Sequence, residues 1–324
     1  MSRLAFLLSA IVALYIWSTP ADAQTCSAAM TPITFPAVSP IRGAPVSTTA
    51  TLTVTCNWTV VSLVPNALVC VNLGTGSASI SQNPRTLGNG GNRLQYRVAG
   101  NTAYSPLWGS TATSTTPISV TLAKPALGTS ASANVTVNAQ VLGNQFTVPT
   151  VNNATTAYTE SFGGVATVNY GYYLLGAPTC ASLAAGGTFT PTITANVIND
   201  CTISATPMNF GTQGLLNRQV DAVSTLNVQC TNSDAYRIAL NGGYNGTVTN
   251  RRMLRAGGTQ TVGYQLYTDS SRSIPWGDGT AGTAMFENTG TGASQSVTVY
   301  GRVQAQTDPV PGAYADTVTA TVYF

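Results

Sequence analysis

Six cysteines, ten carboxylates and no histidine are the side chains of this 324-residue chain that could do chemistry. Without histidine, the commonest general acid–base group is missing. Between Gln24 and Cys180 the only carboxylate is Glu160, so no glycosidase-type pair can form there. The cations of the same stretch, Arg42, Arg85, Arg93, Arg97 and Lys124, are scattered and form no nucleic-acid footprint. Asp269, Asp278 and Asp308 fall near turns, but their spacing fits no calcium loop. Gly88-Asn-Gly-Gly91 reads as a turn with no helix behind it, hence no phosphate cradle. Asn-x-Thr triplets at Asn57, Asn134, Asn153 and Asn245 are expected by chance in a threonine-rich chain. Arg251-Arg252 reads as a solvated edge. No catalysis, cofactor or metal is indicated, and the remaining chemistry is that of sulfur.

The compartment suits disulfides. Met1-Ser-Arg3, the apolar run Leu4–Trp17 and the small-residue site Ala21-Asp-Ala23 form a secretory signal peptide over residues 1–23. No later stretch approaches the roughly 20 apolar residues of a transmembrane helix, so no membrane span is expected. In an exported chain six cysteines form bridges, and six allow fifteen pairings.

The elements that must position these cysteines are strands. Charged residues are only 7% of the chain. Short alternating runs separated by Gly, Pro and Asn recur throughout, which predicts an all-β fold. One stretch organises the rest, Gly186–Cys201. In it Phe189, Pro191, Ile193, Ala195 and Val197 share one face, with Thr190, Thr192, Thr194 and Asn196 on the other. Pro191 cannot donate to a ladder, which argues for an edge or inserted strand. We read this segment as the join between two copies of one domain and as the last strand of the first copy.

The chain is indeed written twice. CSAAMTPITF from Cys26 lies over CTISATPMNF from Cys201, and TATLTVTC ending at Cys56 lies over VSTLNVQC ending at Cys230. Asn83-Pro-Arg-Thr-Leu87 matches Asn250-Arg-Arg-Met-Leu254, and Leu94-Gln-Tyr96 matches Val262-Gly-Tyr264. Tyr104-Ser-Pro-Leu-Trp-Gly109 matches Arg272-Ser-Ile-Pro-Trp-Gly277 after a one-residue shift. The domains are therefore 24–198, closed in cis by 188–198, and 199–324. The repeat pairs Cys26 with Cys56 and Cys201 with Cys230, which leaves Cys70 for Cys180.

The second copy carries C-T-I-S at Cys201, N-F-G at Asn209, L-N-G-G at Leu240, W-G-D-G at Trp276 and P-G-x-Y-x-D-x-V at Pro311, and it closes on V-Y-F. It resembles the spore coat protein U domain, the pilin domain of archaic chaperone–usher pili. The first copy is a more divergent match, and two domains in tandem look like the tip adhesin of such pili. The resemblance implies two immunoglobulin-like pilin sandwiches, the second lacking its final strand. A periplasmic chaperone, and after the outer-membrane usher an adjacent pilin subunit, would fill that gap by strand addition. The alternating run Val318, Ala320, Val322, Phe324 is expected to be the last strand beside the acceptor groove. With two residues between the cleavage site and Cys26, the chain is expected to accept a strand and give none, which places it at the pilus tip on the cell surface. A structural pilus or coat subunit without an adhesive role is the alternative, and a free secreted enzyme or lectin a third reading.

Adhesion to an abiotic or host surface, and hence biofilm formation, would fall to longer loops of the first copy. Cys56 to Leu73 is 17 positions against 10 for Cys230 to Leu240, and Val141 to Tyr158 is 17 against 11 for Val303 to Tyr314. Their added residues are apolar: Trp58, Val60, Val61, Leu63 and Val64 in one, Phe146, Val148 and Val151 in the other. Apolar residues in long loops suggest a contact surface. We expect both loops at one pole, away from the second copy, with Pro117–Leu122 and the Arg85–Arg97 region as further candidates.

Overall fold

The computed structural model describes residues 24–307 and 309–324; the expected signal peptide and Asp308 lie outside the described residues. The first sandwich contains β1 (Thr25–Met30), β2 (Ile33–Thr34), β3 (Val46–Asn57), β4 (Asn66–Leu73), β5 (Arg85–Asn89), β6 (Asn92–Ala99), β7 (Ile118–Ala123), β8 (Ser130–Val141), β9 (Thr156–Ser161), β10 (Ala166–Tyr173), β11 (Ala185–Thr188) and β12 (Thr192–Val197). The second contains β13 (Cys201–Ala205), β14 (Val220–Cys230), β15 (Ala235–Leu240), β16 (Arg251–Arg255), β17 (Thr261–Tyr267), β18 (Phe286–Thr289), β19 (Gln295–Val303), β20 (Tyr314–Ala315) and β21 (Ala320–Tyr323). No helix among the described residues is long and apolar enough to cross a membrane.

The strands form because apolar and hydroxyl residues alternate. In β3, Ala50, Leu52, Val54 and Cys56 are buried, while the threonines between them face outward. Each sandwich packs one such face against a second sheet. The first pairs β1-β3-β8-β6-β5-β9-β12-β2 with β11-β10-β4-β7; the second pairs β13-β14-β19-β17-β16-β20 with β18-β15-β21. The order repeats strand for strand up to β9 and β20. Beyond β20 the described residues supply no counterpart of β12.

The three disulfides are Cys26–Cys56, Cys70–Cys180 and Cys201–Cys230. The first and third join direct cross-strand partners at the start of each sandwich.

Two expectations change. Gly186–Cys201 is not one strand. β11 pairs with β10 in the smaller sheet, the chain crosses at Phe189–Pro191, and β12 enters the larger sheet. Pro191 thus sits in the crossing, where its missing N–H costs nothing. Pro117–Leu122 is not a loop, because Ile118–Ala123 is β7, paired with β4.

The sandwiches meet end to end. Asn153 bonds Ala235 in both directions through its amide (2.7 and 2.9 Å), and Asn232 Nδ2 donates to Thr147 O (2.9 Å). The Thr150 hydroxyl donates to the buried Asp234 carboxylate. Arg42 pairs with Asp200 at 2.6 Å.

Candidate functional site

Two regions stand out, a groove in the second sandwich and an apolar pole on the first. The groove is best read from its filled duplicate. β12 lies between β9, to which it runs antiparallel, and β2, to which it runs parallel. Its Ile193, Ala195 and Val197 are wholly buried, Pro191 is buried, and Phe189 stacks on Trp108 (6.2 Å between centroids). In the second sandwich the corresponding walls are Met208–Phe210 and Tyr314–Asp316. Between them runs an open cleft of two adjoining hollows of about 670 and 710 Å³, floored by Leu226, Leu240, Met253, Tyr264 and Val299 in one and Val262 and Val303 in the other. The effect on the core is direct. Ile33, Phe35 and Tyr158 are no more than 2% exposed, whereas their counterparts Met208, Phe210 and Tyr314 are only half-buried. Of the residues expected beside this groove, Val318 and Ala320 line it. Val322 packs on the core, and Phe324 instead lies half exposed near Arg237 and Asn153.

Each sandwich also holds a buried arginine. Arg85 donates to the carbonyls of Gly74, Leu73 and Trp108 at 2.7–3.0 Å. Arg251 likewise donates to Leu240, Asn241 and Trp276 at 2.8–3.1 Å. Arg251 is therefore not a solvated edge but is fully buried, because these carbonyls point into the sandwich and need a donor. The true counterpart of Arg85 is thus Arg251, one residue earlier than the sequence match implies. Each arginine faces a tyrosine–carboxylate pair, Tyr96 donating to Glu160 and Tyr264 donating to Asp316 (2.7 Å). Burial lowers the affinity of both guanidiniums for their protons, yet arginine stays charged. Burial raises the Glu160 carboxyl above the ordinary glutamate range, against the pull of nearby Ser79, of the Tyr96 hydroxyl that donates to it and of Arg85. Asp269 and Asp278, by contrast, cap their own turns through Ser273 and Thr280. No group of ligands that could hold a metal ion occurs among the described residues.

The apolar pole is built by three loops, after β3, β7 and β10. Cross-strand pairs Asn57–Ser130, Asn66–Ala123 and Asn66–Tyr173 bring their bases together. Val60, Val61, Leu63, Leu127 and Leu175 are each between 79% and 92% exposed, and Leu174 is 56% exposed. The one charged group in these loops, Lys124, donates to Val60 O (2.8 Å) and ties two of them together. Trp58, expected at the surface, is instead buried. Its ring stands edge-on to Tyr172 at 5.5 Å and its indole N–H donates to Val64 O (3.1 Å), so it shapes the loop from beneath. Val64 is half-buried beside it.

The second expected loop is elsewhere. Phe146, Val148 and Val151 lie at the opposite end, in the loop that meets the second sandwich, where Phe146 O closes on Gly292 and Pro149 pairs with Asn232, while Val151 stays 42% exposed. Val148 is buried there. β3 and β8 are antiparallel neighbours, so the loop after one and the loop after the other lie at opposite ends. Leu127, Leu174 and Leu175 carry no spacing signal in the sequence; only the strand ends place them.

Comparison with known proteins agrees with the duplication. The Spore Coat Protein U domain profile matches residues 13–163 and again 187–321. Protein U of Myxococcus xanthus is 34% identical over 146 residues, which span 40% of this chain and 80% of that protein. Among solved structures, the CsuC–CsuE chaperone–tip adhesion subunit pre-assembly complex of archaic chaperone-usher Csu pili from Acinetobacter baumannii shares the fold. It matches over 92% of this chain and 100% of its own, with a TM-score of 0.53 and 16% identity. The CupB6 tip adhesin from Pseudomonas aeruginosa is a looser likeness, with a TM-score of 0.40, 10% identity and coverage of 93% and 95%. Matched twice along its length, with each half a cysteine-stapled sandwich of the same strand order, the chain belongs to the spore coat protein U domain family.

Proposed function

We propose that this chain is the tip subunit of a bacterial chaperone–usher pilus, joined to the fibre through its second sandwich and adhering to surfaces through its first. The observation that carries the reading is one groove filled in cis and its duplicate left open. An open groove exposes apolar floor and two unpaired strand edges, which an exported protein must cover. A periplasmic chaperone covers it during export, and at the outer-membrane usher a strand of the adjacent pilin subunit replaces it. Filling it buries several large side chains, each contributing roughly 1.5–3 kcal/mol, against about 1–2 kcal/mol per residue for ordering the donor. The fit along the whole strand therefore decides the affinity.

The pole supports the adhesive half of the reading. Six exposed aliphatic side chains on three neighbouring loops, two of them tied by the single ammonium, suit dry contact with an abiotic or host surface and thus biofilm formation. Weak contacts multiply when many pili act together. We assign the chain no catalysis. The match to the Spore Coat Protein U domain profile supports a second reading, a structural pilus or coat subunit without an adhesive role. Immunogold labelling of the native chain on piliated cells separates the two. Label confined to fibre ends is expected, and label along the fibres or over a coat would overturn the tip reading.

A further inference from the structure

β12 is a template for whatever fills the second groove, because the two grooves are walled by equivalent residues. Ala195 is the direct partner of Tyr158 on β9. On its other side β12 runs beside β2, with Ile193 level with Ile33 and the Phe35 N–H donating to Thr194 O (2.9 Å). The Ala195 methyl therefore enters the core between Tyr158 and Phe35, both buried. Neighbouring strands are about 4.8 Å apart, so a ring one strand away on each side leaves space for a methyl and little more. Phe35 cannot swing clear, because it stands edge-on to Tyr96 at 6.4 Å and 69°.

The second sandwich has Tyr314, Phe210 and Tyr264 at these three places. Phe210 meets Tyr264 in the same way, at 6.3 Å and 62°. The constriction is thus present before any strand arrives. The far end differs. Val197 of β12 is opposite Thr156, and the position equivalent to Thr156 is Gly312. Gly312 lines the hollow of about 710 Å³ bounded by Leu216, Val220 and Val310; the Arg255 side chain fills the space a Cβ would take at Gly312, so the hollow itself receives a donor side chain at this level.

We propose that this groove selects a donor strand, running antiparallel to β20, that carries glycine or alanine opposite Tyr314 and a bulky aliphatic residue two positions later, opposite Gly312. The proposal rests on the strand-accepting reading above and adds the size rule by which partner subunits are told apart. A larger residue opposite Tyr314 would have to displace a packed ring, the overpacking that cores resist.

The test uses the full chain with a strand added after Phe324 through a glycine–serine linker, and calorimetry of the second melting transition. One added strand copies Thr188–Ile198; a second copy carries Ala195→Phe and a third Val197→Leu. The plain copy is expected to raise the transition by on the order of 10 °C. The Val197→Leu copy should match or exceed it, and the Ala195→Phe copy should give less than half the gain. Tyr314→Ala in the groove should reverse the order, so that the phenylalanine copy stabilises more than the alanine copy. Equal gains from the alanine and phenylalanine copies on the unmodified groove would overturn the size rule while leaving the strand-accepting reading intact. No gain from any copy would overturn that reading, and the rule with it.

Discussion

Ile193→Asp is the sharpest test of β12 as part of the first core. Ile193 is wholly buried and is the direct partner of Glu160, itself buried. Losing the isoleucine contact costs roughly 1.5–3 kcal/mol. The new carboxylate enters beside an existing one, so the folded state holds it protonated. At pH 7 that protonation costs about 1.4 kcal/mol per pH unit over the roughly three units above an ordinary aspartate, or about 4 kcal/mol. The sum, about 6 kcal/mol, rivals the whole stability of a typical domain. The sign with pH follows from linkage. A carboxyl whose folded value lies above its unfolded value penalises folding increasingly as pH rises from about 4. At pH 5 the charge contribution should therefore fall to about 1.5 kcal/mol. Ile193→Ala serves as the control, at about 2–4 kcal/mol with no added pH dependence. Urea unfolding of the full chain at pH 5 and pH 7, with hydrogen exchange of the β9 and β12 amides, reads both quantities. Equal, pH-independent losses for the two variants, or unchanged exchange at β9, would refute burial of this segment against Glu160.

Arg251→Ala should cost about 3–5 kcal/mol in the second transition, because it strands three carbonyls and leaves the Tyr264–Asp316 pair without its cation; Arg252→Ala, on an exposed side chain, should change it by less than about 0.5 kcal/mol. Glu160 lies above its ordinary value, so the folded sandwich retains a proton that the unfolded chain releases as pH rises from about 4.3. Acidification from pH 7 towards about 4.3 should accordingly raise the first melting transition, and Glu160→Gln should shrink that gain; Asp200, held low by Arg42 and Ser39 despite its burial, acts oppositely and only below about pH 3.9. Combining Val61→Ser, Leu63→Ser, Leu127→Ser and Leu175→Ser should cut attachment of piliated cells to plastic at least several-fold with both transitions unmoved, whereas Phe146→Ser should spare attachment, and normal adhesion of the fourfold variant would remove the pole from consideration.

Much of the fold was legible because it is local. Alternation in β3 and β12, the cysteine spacing and the repeated Trp-Gly pair each depend on neighbours in sequence. The offset at Arg85 and Arg251 was not, because the hairpins differ. Arg85 pairs with Tyr96 eleven residues on, Arg251 with Tyr264 thirteen residues on, and matching Asn83 to Asn250 absorbs the difference at the wrong place. Nor could side-chain type reveal that Arg251 is a core residue, since its partners are main-chain carbonyls with no sequence signature. The pole was half read. Val60, Val61 and Leu63 were found by loop length, but Trp58 turned inward, where an indole can bury its ring and still satisfy its N–H. The Phe146 loop was misplaced because length and apolarity are blind to which end of a sandwich a loop occupies, and strand direction is not.

The short link from β12 to β13 sets how the molecule bears load. β12 ends at Val197 and β13 begins at Cys201, so a pull on the second sandwich is delivered along the axis of β12. Its ladder bonds to β9 and β2 lie across that axis. Tension therefore loads them in shear, all together, and cannot peel them one at a time. Asp200, gripped by Arg42 and by the Ser39 hydroxyl (2.8 Å), shares the strain just beyond the strand. The same segment that completes the first core is thus its mechanical anchor, and tension would have to rupture the first sandwich's own sheet to draw the two apart.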